Sequence, residues 1–128
     1  MVLQEFNNKY QYKTDKERFN TSLDIWELPT DSDIIEADCE SYCRFLKNNV
    51  EGFSDWDYYY CKLTGNGHCI LHKNGNVIDC NVKGIVPLEQ YDRMFVVTEL
   101  KKYNWFVVGS KIAFAKVYTL FNKGGSDA

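Results

Sequence analysis

The chain is predicted to be an α+β domain, with helices in its front half and strands behind them. Cys39, Tyr42, Cys43, Leu46 and Val50 fall at i, i+3, i+4, i+7 and i+11, which is one face of a helix. Residues 56–63, WDYYYCKL, are aromatic and suited to a pleated surface. Asn74-Gly75, set between two apolar runs, is the strongest short hairpin signal in the chain.

The elements follow in order. Val2, Leu3, Phe6 and Tyr10 have roughly helical spacing over residues 2–12, and 14–20 reads as a short polar helix capped by Thr14 or Asp15. Residues 23–33 are a loop, broken by Pro29 and an Asp/Ser cluster. Asp38 stands just ahead of the apolar face that begins at Cys39 and is a good N-cap. After the 56–63 strand, residues 68–82 form a hairpin. Pro87 opens a turn, PLEQYD, and residues 94–100, 104–108 and 111–121 are expected as strands, with Gly109-Ser110 turning between the last two. The aromatic run Trp56, Tyr58, Tyr59, Tyr60 is expected to pack in the core.

A length of 128 residues suits one domain, taken as 1–123, with GGSDA at 124–128 as a disordered tail. Net charge is −3 and the charges form no basic stripe, so no nucleic-acid partner is expected. No apolar run approaches the roughly 18 residues needed to span a bilayer, so no membrane partner is expected. The N-terminus is polar and lacks the apolar core of a signal peptide, which gives a cytoplasmic expectation. Five cysteines, an odd number, argue against a fully paired secreted framework. Cys43, Cys61 and Cys69 are expected as reduced, buried thiols acting as small apolar side chains.

Cys39 stands apart from these. At the first turn of a helix, free N–H groups and the helix dipole stabilise a thiolate. The flanking Asp38 and Glu40 oppose it. With a turn at Asn74-Gly75, position 70 faces 79 and position 68 faces 81. Residues 68, 70, 72, 79 and 81 then share one sheet face. Asp79 lies diagonal to His68, where a carboxylate can hold an imidazole tautomer. It lies equally diagonal to His72, so register alone does not choose between the histidines. Each part has an ordinary structural explanation: an inert thiol, a packed histidine, a carboxylate holding loop amides. Together they make a candidate nucleophile, base and orienting acid. A metal site on Cys39, Cys43, Cys69, Cys80, His68 and His72 is disfavoured, because the spacings match no strong zinc template.

Several motifs then occur in a familiar order. They are Asn7-Asn8 with Tyr12 and Asp15; Trp26 followed by Pro29; Asp38-Cys39-Glu40-x-Tyr42; Gly67-His68 with Ile70-Leu71; and Val77-Ile78-Asp79. In this order the chain resembles the bacterial transglutaminase-like cysteine peptidases, a papain-like group. The likeness runs from about residue 7 to about residue 91 and touches the C-terminal strands only weakly. Three positions depart from the family pattern: Ala37 for a glycine, Ser41 for an acidic residue and Cys80 for an asparagine.

The resemblance implies a papain-like α+β fold, with the Cys at a helix start packed on an antiparallel sheet. It selects His68 over His72. It also implies that Cys39 attacks an amide carbonyl, His68 activates it and protonates the leaving amine, and Asp79 orients His68. The backbone N–H of Cys39 would be one oxyanion donor, with Trp26, Asn20 or Gln4 as side chains that could supply the second. No cofactor is implied, and the partner would be a protein or peptide substrate. Two functions stand from this point. One is a cysteine-dependent amide hydrolase or acyl transferase. The other is a catalytically silent binding module on the same fold, whose size and composition would suit a phage protein acting on a host partner.

Overall fold

Asp38 starts the central helix of the molecule. In the computed structural model, which describes residues 1–19 and 23–126 and side chains as far as residue 121, its carboxylate accepts the Ser41 N–H at 3.1 Å. That N-cap bond is worth about 1 kcal/mol. Helix α3, Cys39–Asn49, follows and buries Ser41, Tyr42, Cys43, Arg44, Phe45 and Leu46. Such all-round burial marks a helix enclosed by other elements rather than one lying on the surface. The ordered elements before it are α1 (Leu3–Lys9), β1 (Tyr10–Tyr12), α2 (Asp15–Phe19) and β2 (Ile35–Ala37). Strands β1 and β2 pair in parallel, Tyr12 opposite Ala37, so the chain entering α3 is held against the N-terminal segment. The expected helix over 2–12 therefore ends at Lys9, because Tyr10–Tyr12 take ladder partners instead.

After α3 come β3 (Asp57–Leu63), β4 (Asn66–Lys73), β5 (Asn76–Ile78), β6 (Val86–Pro87), α4 (Leu88–Phe95), β7 (Val97–Lys102) and α5 (Trp105–Ser126). The five later strands form one antiparallel sheet in the order β6-β5-β4-β3-β7. Lys73 pairs with Asn76 and Leu71 with Ile78, the register of a two-residue turn. Asn74 and Gly75 have φ of 50° and 79°, the positive values such a turn demands.

Strand alternation divides the core between the two sheet faces. Tyr58, Cys69, Leu71 and Ile78 face α1 and α3, where Phe6, Trp26, Tyr42, Phe45 and Leu46 complete one cluster. Cys61, Ile70 and Val77 face the other way and pack with Tyr91, Leu88 and Phe95 of α4. The architecture is thus α+β, with helices packed against an antiparallel sheet.

Two expectations are corrected. The PLEQYD turn is helix α4, because a proline is tolerated at a helix start, where the backbone N–H would lack an acceptor in any case. Leu88, Tyr91 and Phe95, at i, i+3 and i+7, are its core face. The stretches expected as strands over 104–108 and 111–121 are one helix, α5. Asn104 accepts the Phe106 N–H at 2.7 Å on its side chain and the Val108 N–H at 3.0 Å on its carbonyl. Val108 and Ala115 are buried, and Ile112 packs partly buried against the same cluster. The β-branched and aromatic composition suggested strands, but packing at helical spacing overrode that preference. Gly109 lies inside α5 rather than in a turn.

Candidate functional site

Asp79 follows the last residue of β5 and is fully buried. Its Oδ1 accepts the backbone N–H groups of Asn81 and Val82, each at 2.9 Å. Its Oδ2 lies 2.6 Å from His68 Nε2 and also accepts the Tyr91 hydroxyl. Burial pushes this carboxyl up, but the bonds from His68, Tyr91 and Val82 outweigh it and hold the group below its usual value. Asp79 is therefore ionised at neutral pH, and four donors fix its orientation.

The hairpin register brings His68 to it. Of the two histidines the register left open, Asp79 takes His68, whereas His72 lies with its ring 4.6 Å from that of Tyr59. A carboxylate at Nε2 keeps the proton of the neutral imidazole there. The lone pair is then on Nδ1, which is the nitrogen able to accept a proton. Tyr91 is a site residue that the linear motifs do not mark. Its signal is the helical spacing of Leu88, Tyr91 and Phe95, which turns a polar hydroxyl into the core behind Asp79.

Cys39 is the first residue of α3 and the one half-buried thiol; Cys43, Cys61, Cys69 and Cys80 are buried. Burial raises its thiol strongly, and Glu40 and Asp38 raise it further, while the backbone amide of Cys69 pulls it down. Cys69 adjoins His68 in β4, but strand alternation turns the two side chains to opposite faces, Cys69 toward α3 and His68 with Ile70 toward α4. Strand β5 ends opposite Leu71, leaving the edge of β4 beyond it without a ladder partner from β5. No hydrogen bond joins the Cys39 sulfur to the His68 ring among the described residues. Burial thus favours the neutral form of the Cys39 thiol.

The oxyanion candidates separate. The Cys39 N–H has no acceptor among the described hydrogen bonds and stands at a helix N-terminus. The Trp26 indole is buried and donates to Asp24 Oδ2 at 3.0 Å, so its donor is committed. Gln4 is exposed on α1, and no described contact brings it to Cys39. Asn20 lies outside the described residues.

Around the start of α3 the carboxylates crowd. Asp15, Asp24 and Asp38 each offer an oxygen, all within 4.8 Å of one another, whereas the cysteines and histidines considered above as metal ligands are not so grouped among the described residues. Asp15 Oδ2 accepts the Ile25 N–H at 2.7 Å, and its Oδ1 meets no hydrogen-bond donor. Burial first, then the charge of Asp38, pushes Asp15 up to about 8. Burial and Glu40 push Asp38 up to about 7. A proton retained on Asp15 relieves its repulsion with Asp38. Asp38 is legible in the sequence as a cap, but the cluster is not, because Asp15 and Asp24 reach it only through the fold.

No helix among the described residues is long and apolar enough to cross a membrane. A scan against protein-family models and searches among curated proteins and solved structures returned no match for this chain.

Proposed function

We propose that this protein is a cysteine-dependent amide hydrolase or acyl transferase of papain-like architecture, with Cys39 as nucleophile, His68 as base and Asp79 as the orienting carboxylate. The observation that carries the reading is the 2.6 Å contact between His68 Nε2 and Asp79 Oδ2. It leaves Nδ1 as the proton acceptor on the residue adjoining Cys69, whose amide influences the Cys39 thiol.

The chemistry then runs in two halves. As the Cys39 sulfur adds to the amide carbonyl carbon, its proton passes to His68 Nδ1. The carbonyl oxygen gains the negative charge and faces the Cys39 N–H. His68 returns the proton to the amine nitrogen as the C–N bond breaks, which leaves a thioester. Water, deprotonated by His68, attacks the thioester carbonyl, and the C–S bond breaks as His68 returns that proton to the Cys39 sulfur, releasing the carboxylic acid. A substrate amine in its place would complete transamidation. Asp79 stays ionised throughout and stabilises the imidazolium.

Alkylation with iodoacetamide at neutral pH tests this reading. Cys39 should be labelled first, and its labelling should slow at least tenfold in His68→Ala, a floor set below the roughly hundredfold or more that general-base assistance contributes. Equal labelling of all five cysteines, or no dependence on His68, would remove the support for an activated nucleophile.

A second reading is favoured by the raised Cys39 thiol, which has no hydrogen bond to the His68 ring among the described residues. The same fold would act by binding alone, on a host protein if the chain is phage-encoded. Full biological effect retained in Cys39→Ser would select it.

A further inference from the structure

Helix α5 has two apolar faces, and the fold uses only one. Val108 and Ala115 are buried and Ile112 is partly so, which fixes the face turned to the protein. At 100° per residue, Phe106, Ala113, Val117 and Leu120 lie on the opposite face, with Phe114 and Phe121 beside them. Phe106 is 81% exposed, Leu120 74% and Phe121 75%. Trp105, at the start of the helix, is 68% exposed. Phe106, Phe114, Val117, Leu120 and Phe121, five large apolar side chains open to water along one helix, form a patch that soluble surfaces rarely carry without an occupant.

The charge pattern says what the occupant is. Residues 100–126 hold Lys101, Lys102, Lys111, Lys116 and Lys123 and no carboxylate, a charge of +5 on a chain of net −3, so the remainder carries −8. Lys102 pairs with Asp57 and Lys111 with Asp24, while Lys101 and Lys116 are exposed and have no ion pair among the described residues. Lys111 and Lys116 fall on the two borders between the buried and exposed faces of α5.

A second copy of the chain would bring the same positive helix against this one, which charge opposes. A nucleic acid would satisfy the lysines but leave Val117, Leu120 and Phe121 wet. An anionic lipid surface takes both features at once. Acyl chains cover the apolar face, and acidic headgroups meet lysines whose stems lie along the interface.

We infer that α5 is an interfacial helix, which lays its Phe106–Phe121 face on anionic membrane lipid without crossing the bilayer. That no helix among the described residues is long and apolar enough to cross a membrane is unaffected, because lying on a surface needs a stripe and not a span. The inference does not depend on Cys39 chemistry.

Vesicle co-sedimentation of the full chain tests it. At low salt, binding to vesicles of phosphatidylcholine with about a third phosphatidylglycerol should exceed binding to pure phosphatidylcholine at least tenfold. Each lysine near such a surface is worth about fivefold, so Lys101→Gln with Lys116→Gln should weaken binding by more than tenfold. The triple change Phe106→Ser, Leu120→Ser, Phe121→Ser should abolish it. Trp105 gives a readout on the unmutated protein, since Trp26 and Trp56 are buried. Brominated lipid should quench a large part of its emission. No binding by the wild-type chain, or binding with unquenched Trp105 emission, would overturn the inference. So would a dimer in solution that the triple change converts to monomer, which would assign the face to self-association.

Discussion

His68 and Tyr91 converge on one oxygen of Asp79, the imidazole at 2.6 Å from one side and the phenol from the other. Two backbone amides hold the second oxygen. A buried carboxylate so surrounded is stable only as an anion, and each donor removed returns part of its desolvation cost.

Tyr91→Phe should therefore destabilise the fold by about 1.5–3 kcal/mol, the range for a hydrogen bond to a charged group. The loss should be largest near neutral pH. Asp79 is held below the ordinary carboxylate value of 3.8, so its contribution is fully present above that pH and disappears as pH falls through the lower folded value. Urea denaturation of both proteins at pH 7 and pH 3 would check this. An equal difference at the two pH values would show that the hydroxyl does not act through the carboxylate.

Asp15 has the opposite sign. Its folded pKa, about 8, is above its ordinary 3.8. The folded state then holds a proton that the unfolded chain has released, and stability falls as pH rises from about 4 to 8. Asp15→Asn imitates the protonated acid. Its oxygen can still accept the Ile25 N–H, and its amide can donate to Asp38. The variant should melt higher than the parent at pH 8, with the gap closing toward pH 5. Thermal melts across that range are the measurement, and a gap that widens toward acid would refute the raised Asp15 carboxyl.

Alkylation of Cys39 should still be accelerating at pH 9. Burial and the two flanking carboxylates raise this thiol, so thiolate is scarce near neutrality and grows with each step in pH. Rates measured from pH 6 to 10 would show it. A plateau reached below pH 8 would mean that an imidazolium–thiolate pair forms in solution.

Gly75 fixes the hairpin that brings His68 to Asp79. Its φ of 79° lies in the left-handed region, and a methyl group added there would meet nothing within 4 Å, so the cost of Gly75→Ala is backbone strain alone. The variant should lose about 1 kcal/mol of stability while keeping the His68–Asp79 contact. Chemical denaturation gives the first. The downfield imidazole proton signal of a carboxylate-bound histidine reports the second.

Features that rest on local chemistry are legible in the linear chain. Asp38 as a cap, the helix from Cys39 and the turn at Asn74-Gly75 each follow from bonds within a few residues. Because strand side chains alternate strictly, the turn also put Asp79 within reach of a histidine, but it left His68 and His72 equivalent. That choice was resolved by geometry beyond the hairpin, with Tyr91 arriving from α4 to the same oxygen as His68. The C-terminal segment is rich in side chains that favour strands, yet its packing at helical spacing made it a helix, and that change exposed an apolar face no strand pattern would have revealed. Asp15 and Asp24 meet Asp38 through the fold alone, so the raised carboxyls at the start of α3 arise from desolvation and proximity, which no linear spacing encodes.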